Sequence, residues 1–315
     1  MPYDLTLYQG AAPYYLTGRP AYSRDWVATL AAELGLDSTG RFLDVGCGPG
    51  VLTVPLAPYF QEAIGIDPDA EMLHEAELLA GRQGVPGIRW IRALAEDIET
   101  LNLDPLRLVA FGQSFHWTDR ERVAAMVYAN LEPGGTLALI THAHSDRPQP
   151  EGPGYPLIPH EAIRAIIERY LGTERRAGQG TIPSLPEQHE DILRSAGFQN
   201  LRRVYCSGQD SLVQDVNGVL ANYFSTSFAA PHLFGERRAQ FEADVRAELA
   251  THSATGFFWD WPGDTQLLLA KERLATSLCY RERRTISRLI IGYLLEVSGI
   301  GESSLAFIRN SPLLE

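Results

Sequence analysis

The feature that most constrains this chain is a short apolar run that stops in glycines: Arg41–Val45, followed by Gly46-Cys47-Gly48-Pro49-Gly50. A buried strand that ends in glycines and opens a helix lets backbone approach a ligand closely, with the helix amides as donors. Residues 51–60 are apolar and long enough for that helix, and residues 63–66 are a second buried run, ending at Asp67-Pro68. Residues 88–93, 106–111 and 136–141 supply three more strands, the last launched by Pro133-Gly134-Gly135. Strand and helix alternating at this spacing predict an α/β fold with a parallel sheet covered on both faces.

Beyond residue 141 the rhythm breaks. A Pro- and Gly-rich stretch, residues 147–159, leads to an apolar-periodic helix over 161–171, which reads as an insertion. The α/β pattern resumes with a helix near 186–196, the Gly197 stop, a strand near 201–206 and a final strand near 265–271. Between those strands lie about sixty residues of mostly helical sequence, in which Leu212, Val216, Val219, Leu220, Tyr223 and Phe224 make one apolar face. The expected organisation is one domain over 1–272, with helical cap insertions near 145–185 and 209–262, and a helical extension over 273–315. In the extension, Ile286, Leu289, Ile290, Tyr293, Leu294 and Val297 form a helix apolar over much of its circumference. Such a helix is either tucked into the core or used between subunits, which leaves a homodimer open.

Composition excludes several functions. Lys plus Arg number 27 against 39 Asp plus Glu, a net charge of −12, whereas phosphate-tracking surfaces need clustered positive charge. Nucleic acid is therefore not the expected partner. Cys47, Cys206 and Cys279 are odd in number and widely spaced, so neither a disulfide framework nor a cysteine zinc site is written. The first residues lack the basic and apolar regions of a secretory signal. The longest apolar stretch, around 289–297, is broken by Gly292 and Glu296 and is far short of the roughly 20 residues a membrane span needs. A cytoplasmic, soluble protein is expected.

The glycine loop itself discriminates among ligands. Dinucleotide sites want G-x-G-x-x-G, but after Gly46 and Gly48 the third glycine position is Val51, and Gly50 falls one residue early. Asp44 stands just before the loop, where it would repel a pyrophosphate and attract a cation. About twenty residues past the loop, Asp67 ends the second strand, where a carboxylate can accept both hydroxyls of a ribose. The plainer reading is that Asp67-Pro68-Asp69 caps the next helix. The ligand inferred from the pair carries a ribose and a positive charge.

With these residues in place the sequence resembles the class I S-adenosylmethionine-dependent methyltransferases, and within them the small-molecule "type 11" group that includes trans-aconitate methyltransferase-like proteins. The resemblance is strong over about 8–141 and weaker over 192–271. It implies a Rossmann-like methyltransferase fold: a mostly parallel seven-stranded sheet with an antiparallel last strand. It also implies S-adenosyl-L-methionine as cofactor, with Asp44, Gly46, Gly48 and Gly50 around its methionine part and Asp67 on its ribose. Ala95 and Glu96 match the family position beside the adenine, although Leu94 replaces the aspartate often found before that alanine. The segment Gln113-Ser114-Phe115-His116-Trp117-Thr118-Asp119 resembles the subgroup's Gln-x-Phe-His-Trp-x-Asp, which places Gln113 at the cofactor and Trp117 at the acceptor. Tyr14 to Tyr22 resembles a Tyr-rich Arg-Pro-x-Tyr segment, implying that Arg19 meets the cofactor carboxylate and that Tyr14 borders the substrate pocket.

A methyl sulfonium is already activated, so in-line displacement needs alignment and exclusion of water above all. If the small-molecule acceptor carries a proton, His116 is the candidate general base, or else it orients substrate. His142, His144 and Asp146 could bind metal, but solvated loop histidines explain them as well and no metal is expected. Cys47 reads as a small buried filler. Trp259-Asp260-Trp261 either lines the acceptor pocket or plugs the end of the sheet. Three rival functions remain: a cyclase or decarboxylase that binds this cofactor without transferring methyl, a nicotinamide-dependent oxidoreductase, and a non-enzymatic scaffold.

Overall fold

A computed structural model describes residues 4–143, 151–174, 176–177, 180–181, 189–207 and 212–272. The extension expected over 273–315 lies outside the described residues, as do Cys279, His144 and Asp146.

In chain order the elements are α1 (Ala12–Gly18), α2 (Trp26–Leu34), β1 (Arg41–Val45), α3 (Thr53–Leu56), β2 (Glu62–Asp67), α4 (Ala70–Gln83), β3 (Arg89–Arg92), β4 (Leu106–Gly112), α5 (Arg120–Asn130) and β5 (Leu131–Ala143). They continue with α6 (His160–Leu171), β6 (Arg176–Ala177), β7 (Gly180–Thr181), α7 (His189–Ser195), β8 (Gln199–Cys206), β9 (Leu212–Asp215), α8 (Val216–Phe224), α9 (Arg238–His252), β10 (Phe257–Asp260) and β11 (Asp264–Lys271). Local chemistry sets several boundaries. Asp69 caps α4 by accepting from the amides of Glu71 and Met72, and Gly84 ends it in the left-handed region. Asp119 and Asp215 cap α5 and α8 in the same way. The helix expected over 51–60 is shorter, because Pro58 lacks the N–H that would continue it, and a 3-10 turn, Ala57–Tyr59, replaces its second half.

The main sheet has seven strands in the order β3-β2-β1-β4-β5-β11-β8. The first five are parallel, and β11 runs antiparallel between β5 and β8. This is the Rossmann-like methyltransferase sheet that the resemblance implied. Strand β5 begins earlier than residue 136: Leu131 already pairs with Leu106, and the Pro133-Gly134-Gly135 segment sits inside the strand at a register shift. Ile98, Val123, Val127, Leu193 and Phe198 cover one face of the sheet, and Trp26, Leu30, Leu52 and Leu56 the other.

A separate apolar cluster joins α6, α8, α9 and β10 through Ile163, Ile167, Val219, Phe224, Phe241 and Phe258. One expectation here is corrected. Residues 212–215 are a strand, not the start of a helix, because Leu212 to Asp215 pair antiparallel with Asp260 to Phe257. The spacing of Leu212 to Val216 matches a helical face, but Asp215 accepts from the amide of Gly218 and starts the helix only there. This cluster is held to α1 at close range. A Cβ on Gly18 would fall 2.2 Å from the Ala221 carbonyl carbon, and Gln214 Nε2 donates to the Gly18 carbonyl at 3.1 Å. Among the described residues, no helix is long and apolar enough to cross a membrane.

Candidate active site

The strand order reverses between β1 and β4, and in open α/β sheets ligands bind outside the carboxyl ends of the strands at such a point. The glycine loop after β1, Asp67 at the end of β2, Gly112 at the end of β4 with Gln113 after it, and His142 near the end of β5 all meet there. Two cavities open at this edge. The smaller, about 70 Å³, is walled by Tyr8, Asp67, Met72, Ala95, Glu96 and Trp117 among others. The larger, about 440 Å³, includes Arg19, Tyr22, Asp44, Leu52, His142 and Asn222 in its wall. Tyr15, Gly46, Gly112 and Gln113 belong to both, so the cavities are contiguous.

The backbone between them is specialised. Gly46, Gly48 and Gly50 have φ of +65°, +51° and +81°, a region in which side chains strain. Gly46 is doubly required, since a Cβ there would lie 2.6 Å from that of Ser114. Ser114 Oγ in turn donates to the Val45 carbonyl at 2.6 Å, clamping the loop after β4 onto the strand before the glycines. Gln113 takes φ +57° without being glycine, a strained backbone of the kind held at ligand sites.

Two carboxylates are buried here. Asp67 accepts from the amides of Gly48 (2.8 Å) and Asp69 (2.9 Å), so the expected helix-cap role falls to Asp69 while Asp67 braces the glycine loop. Burial pushes its pKa up to about 6, the two amides holding it lower than burial alone would. Asp44 is 1% exposed. Its Oδ2 accepts from the Thr53 hydroxyl at 2.6 Å, and its Oδ1 is buried with no hydrogen-bond partner. Burial, with the nearby Asp67 charge adding to it, raises Asp44 to about 7. Across the larger cavity, Arg19 Nη2 donates to the Ser225 carbonyl at 2.9 Å, while its buried Nε has no partner. The wall of the larger cavity thus holds an orphaned acceptor, Asp44 Oδ1, and an orphaned donor, Arg19 Nε. Cys47 is buried, its thiol pushed well above the ordinary range by burial, which fits a filler.

The other expected residues divide. Ala95 and Glu96 line the smaller cavity, but Glu96 Oε1 is engaged by the amide of Asp119 at 2.8 Å and so steadies the 113–119 loop. Trp117 reaches the smaller cavity, where the Tyr8 ring meets it edge-on at 6.2 Å. The structure does not bring His116 to either cavity: it is exposed, and its ring tilts against Trp117 at 4.7 Å. Tyr14 also faces away. It packs on Phe224 at 5.2 Å, and its hydroxyl accepts from Arg238, because one helical residue turns about 100° from the next and Tyr15 takes the cavity side.

Sequence reasoning missed Tyr8, Tyr15, Tyr22 and Ser114 as wall residues, and it set His142 aside as a loop histidine. His142 lies within β5 and stacks on Tyr22 with ring centroids 4.8 Å apart and 17° between planes. Its pairing on β11 with Thr265 was the signal, visible only once the strand was known to run to residue 143. Among the described residues no group of His, Cys, Asp or Glu could hold a metal ion.

A sheet of this order, with a glycine cradle after β1 and an acid ending β2, defines the class I methyltransferase architecture. Comparison with known proteins agrees. A family profile described as a methyltransferase domain matches residues 42–135. An uncharacterised methyltransferase of Schizosaccharomyces pombe is 35% identical over 213 residues, 67% of this chain and 76% of its own. A probable S-adenosylmethionine-dependent methyltransferase of Saccharomyces cerevisiae is 31% identical over 190 residues, 60% of each chain. A trans-aconitate 2-methyltransferase of Azoarcus is 31% identical over 123 residues, 38% of this chain and 46% of its own. The chain belongs to the S-adenosylmethionine-dependent methyltransferase family. The alignments span 60% of the yeast relative and 56% of a mycobacterial one. Among solved structures, the YcgJ protein of Bacillus subtilis aligns over 78% of this chain and 97% of its own, at a TM-score of 0.43 and 16% identity.

Proposed function

We propose that this chain transfers a methyl group from S-adenosylmethionine to a small organic acceptor. The observation that carries this reading is the pair of contiguous cavities with a buried acid at the start of each: Asp67 in the smaller, Asp44 in the larger. The residues fit the cofactor. Asp67 keeps unused lone pairs for ribose hydroxyls, and Gly48, where an added Cβ would meet nothing within 4 Å, leaves room beside it. The orphaned Asp44 Oδ1 and Arg19 Nε suit an amino acid end, which brings one ammonium and one carboxylate. Ala95, Glu96, Ser114 and Trp117 would hold the adenosine half.

When bound, S-adenosylmethionine supplies a methyl group on positively charged sulfur. The chain's own part is to align and to exclude water: Tyr15, Gly46 and Gln113 bound the passage between the cavities, and α1 with α8 covers the larger one. The acceptor then lies in the larger cavity, whose size suits a small molecule rather than a nucleic acid strand. Calorimetric titration with S-adenosylmethionine and S-adenosylhomocysteine tests the site. Both bind in the micromolar range, roughly −8 kcal/mol, and labelled methyl passes to an acceptor. Absence of binding by either sulfur nucleoside sinks the reading.

A further inference from the structure

The larger cavity has one imidazole in its wall, that of His142, and its setting fixes how the ring is used. The backbone of Pro20 acts on the ring as a hydrogen-bond acceptor does, favouring its protonated form. A proline has no N–H, so its carbonyl accepts and the imidazole donates, which commits one ring nitrogen and leaves the other with a lone pair. Stacking on Tyr22 holds the plane of the ring. The charged and titratable groups of the same wall are Arg19, Tyr15 and Tyr22 from α1 and the segment after it, Asp44 from β1 and Cys47 from the glycine loop. Of these, Arg19 and Asp44 are assigned above to the carboxylate and ammonium of the cofactor, through the Nε and Oδ1 that have no partner in the structure. The rest of the wall is largely apolar: Leu16, Ala21, Val51, Leu52, Leu79 and Pro262.

We infer that His142, and not His116, accepts the proton of an uncharged, hydroxyl-bearing acceptor lodged between Tyr22, Gln113 and the apolar wall. The inference rests on the methyl-transfer reading above. A carboxylate acceptor would need a cation not already engaged, and an apolar wall penalises any charge that arrives unpaired. In the reaction the acceptor oxygen forms the new C–O bond with a lone pair, while the electrons of the donor's C–S bond return to sulfur. The hydroxyl proton passes to the free nitrogen of His142. The positive charge thus moves from sulfonium to imidazolium, and the imidazolium releases its proton to solvent when product leaves.

Burial, with the Arg19 cation adding to it and the Pro20 carbonyl opposing both, lowers the pKa of His142 to about 4. The ring is therefore neutral and ready to accept at neutral pH. A weak base suffices here, because a hydroxyl oxygen becomes a strong acid as it gains the methyl carbon.

The test uses the full chain labelled with [13Cε1]histidine, and p-cresol, p-toluate and 4-methylbenzylamine as probes of one shape. With S-adenosylhomocysteine bound, the His142 resonance, assigned by its loss in His142→Gln, moves on adding p-cresol and not on adding p-toluate. Labelled methyl from S-adenosylmethionine passes to p-cresol in preference to the other two. His142→Gln lowers that turnover about a hundredfold or more while leaving S-adenosylhomocysteine affinity within about twofold, and it abolishes an acid limb of kcat/KM near pH 4. Unchanged turnover in His142→Gln, preference for the carboxylate or the amine, or no response of His142 to p-cresol in the loaded protein overturns the inference. A wild-type chain that fails to bind S-adenosylhomocysteine overturns the donor reading instead, and the two failures are told apart by that binding alone.

Discussion

Asp44 and Asp67 share one physical predicament, since each is a carboxylate that burial makes reluctant to ionise. A positively charged ligand relieves it. S-adenosylmethionine brings two cations, the ammonium assigned to Asp44 and the sulfonium. With free-protein values of about 7 and about 6, the pair ionises between pH 5.5 and 8. Binding of S-adenosylmethionine is expected to tighten by roughly tenfold across that window, the equivalent of about 1.4 kcal/mol. Titrations at pH 5.5 and 8.0 measure it, and an unchanged affinity would mean that neither acid faces a cationic group of the ligand. Asp67 can be isolated from the pair. Asp67→Ala removes the acceptor facing the smaller cavity and is expected to weaken S-adenosylhomocysteine binding by roughly 1 to 3 kcal/mol. The melting curve of the variant separates that loss from collapse of the glycine loop, which Asp67 also braces through Gly48.

At the scale of elements, the cavities depend on how α1 lies against α8. Tyr15 and Arg19 enter the site from α1 and its end, and Arg19 is held by the carbonyl at the end of α8. The contact is close because Gly18 has no side chain, an added Cβ falling 2.2 Å from Ala221 backbone. Gly18→Ala must push the helices apart, at a cost of about 1 to 3 kcal/mol. It is expected to lower the melting temperature and to weaken cofactor binding together. A variant that melts as the wild type does would show that the helices do not meet at Gly18.

The same scale explains what the sequence could reveal. The run from β1 through the glycine loop to β2 is legible because every determinant is local: apolar strand, glycines, cap. Strand β9 is not, since its extended form is imposed by β10 more than forty residues later, and nothing near Leu212 announces that partner. Tyr14 and Tyr15 are equal in sequence, and only the azimuth of α1 assigns one to the cap cluster and the other to the cavity. His142 was legible as an imidazole after strand five. Its neighbour Tyr22 comes from a segment about 120 residues earlier, a contact that composition and spacing do not encode.

For the molecule as a whole, the site's titrating groups pull stability in opposite directions. Asp44 and Asp67 keep protons in the folded state that the unfolded chain releases above about pH 4, so their contribution is lost as pH rises toward 7. His142 stays neutral when folded, whereas unfolded it takes a proton below about 6.5, so its contribution is lost as pH falls toward 4. The two trends oppose each other up to about pH 7.5, the acids outweighing His142 above pH 6.5, where half of its unfolded-state proton is already gone. The ligand-free protein is therefore expected to lose about 0.5 kcal/mol net between pH 6.5 and 8, a drop of roughly one to two degrees in Tm for a fold of this size. Asp44→Asn, which cannot ionise, should flatten most of that drop. Saturating S-adenosylmethionine should flatten it too, because a bound cation favours the ionised acids in the folded state. Thermal melts of both proteins across this range, with and without the cofactor, measure the effect. An Asp44→Asn protein that loses as much stability as the wild type would place the titrating group elsewhere in the chain.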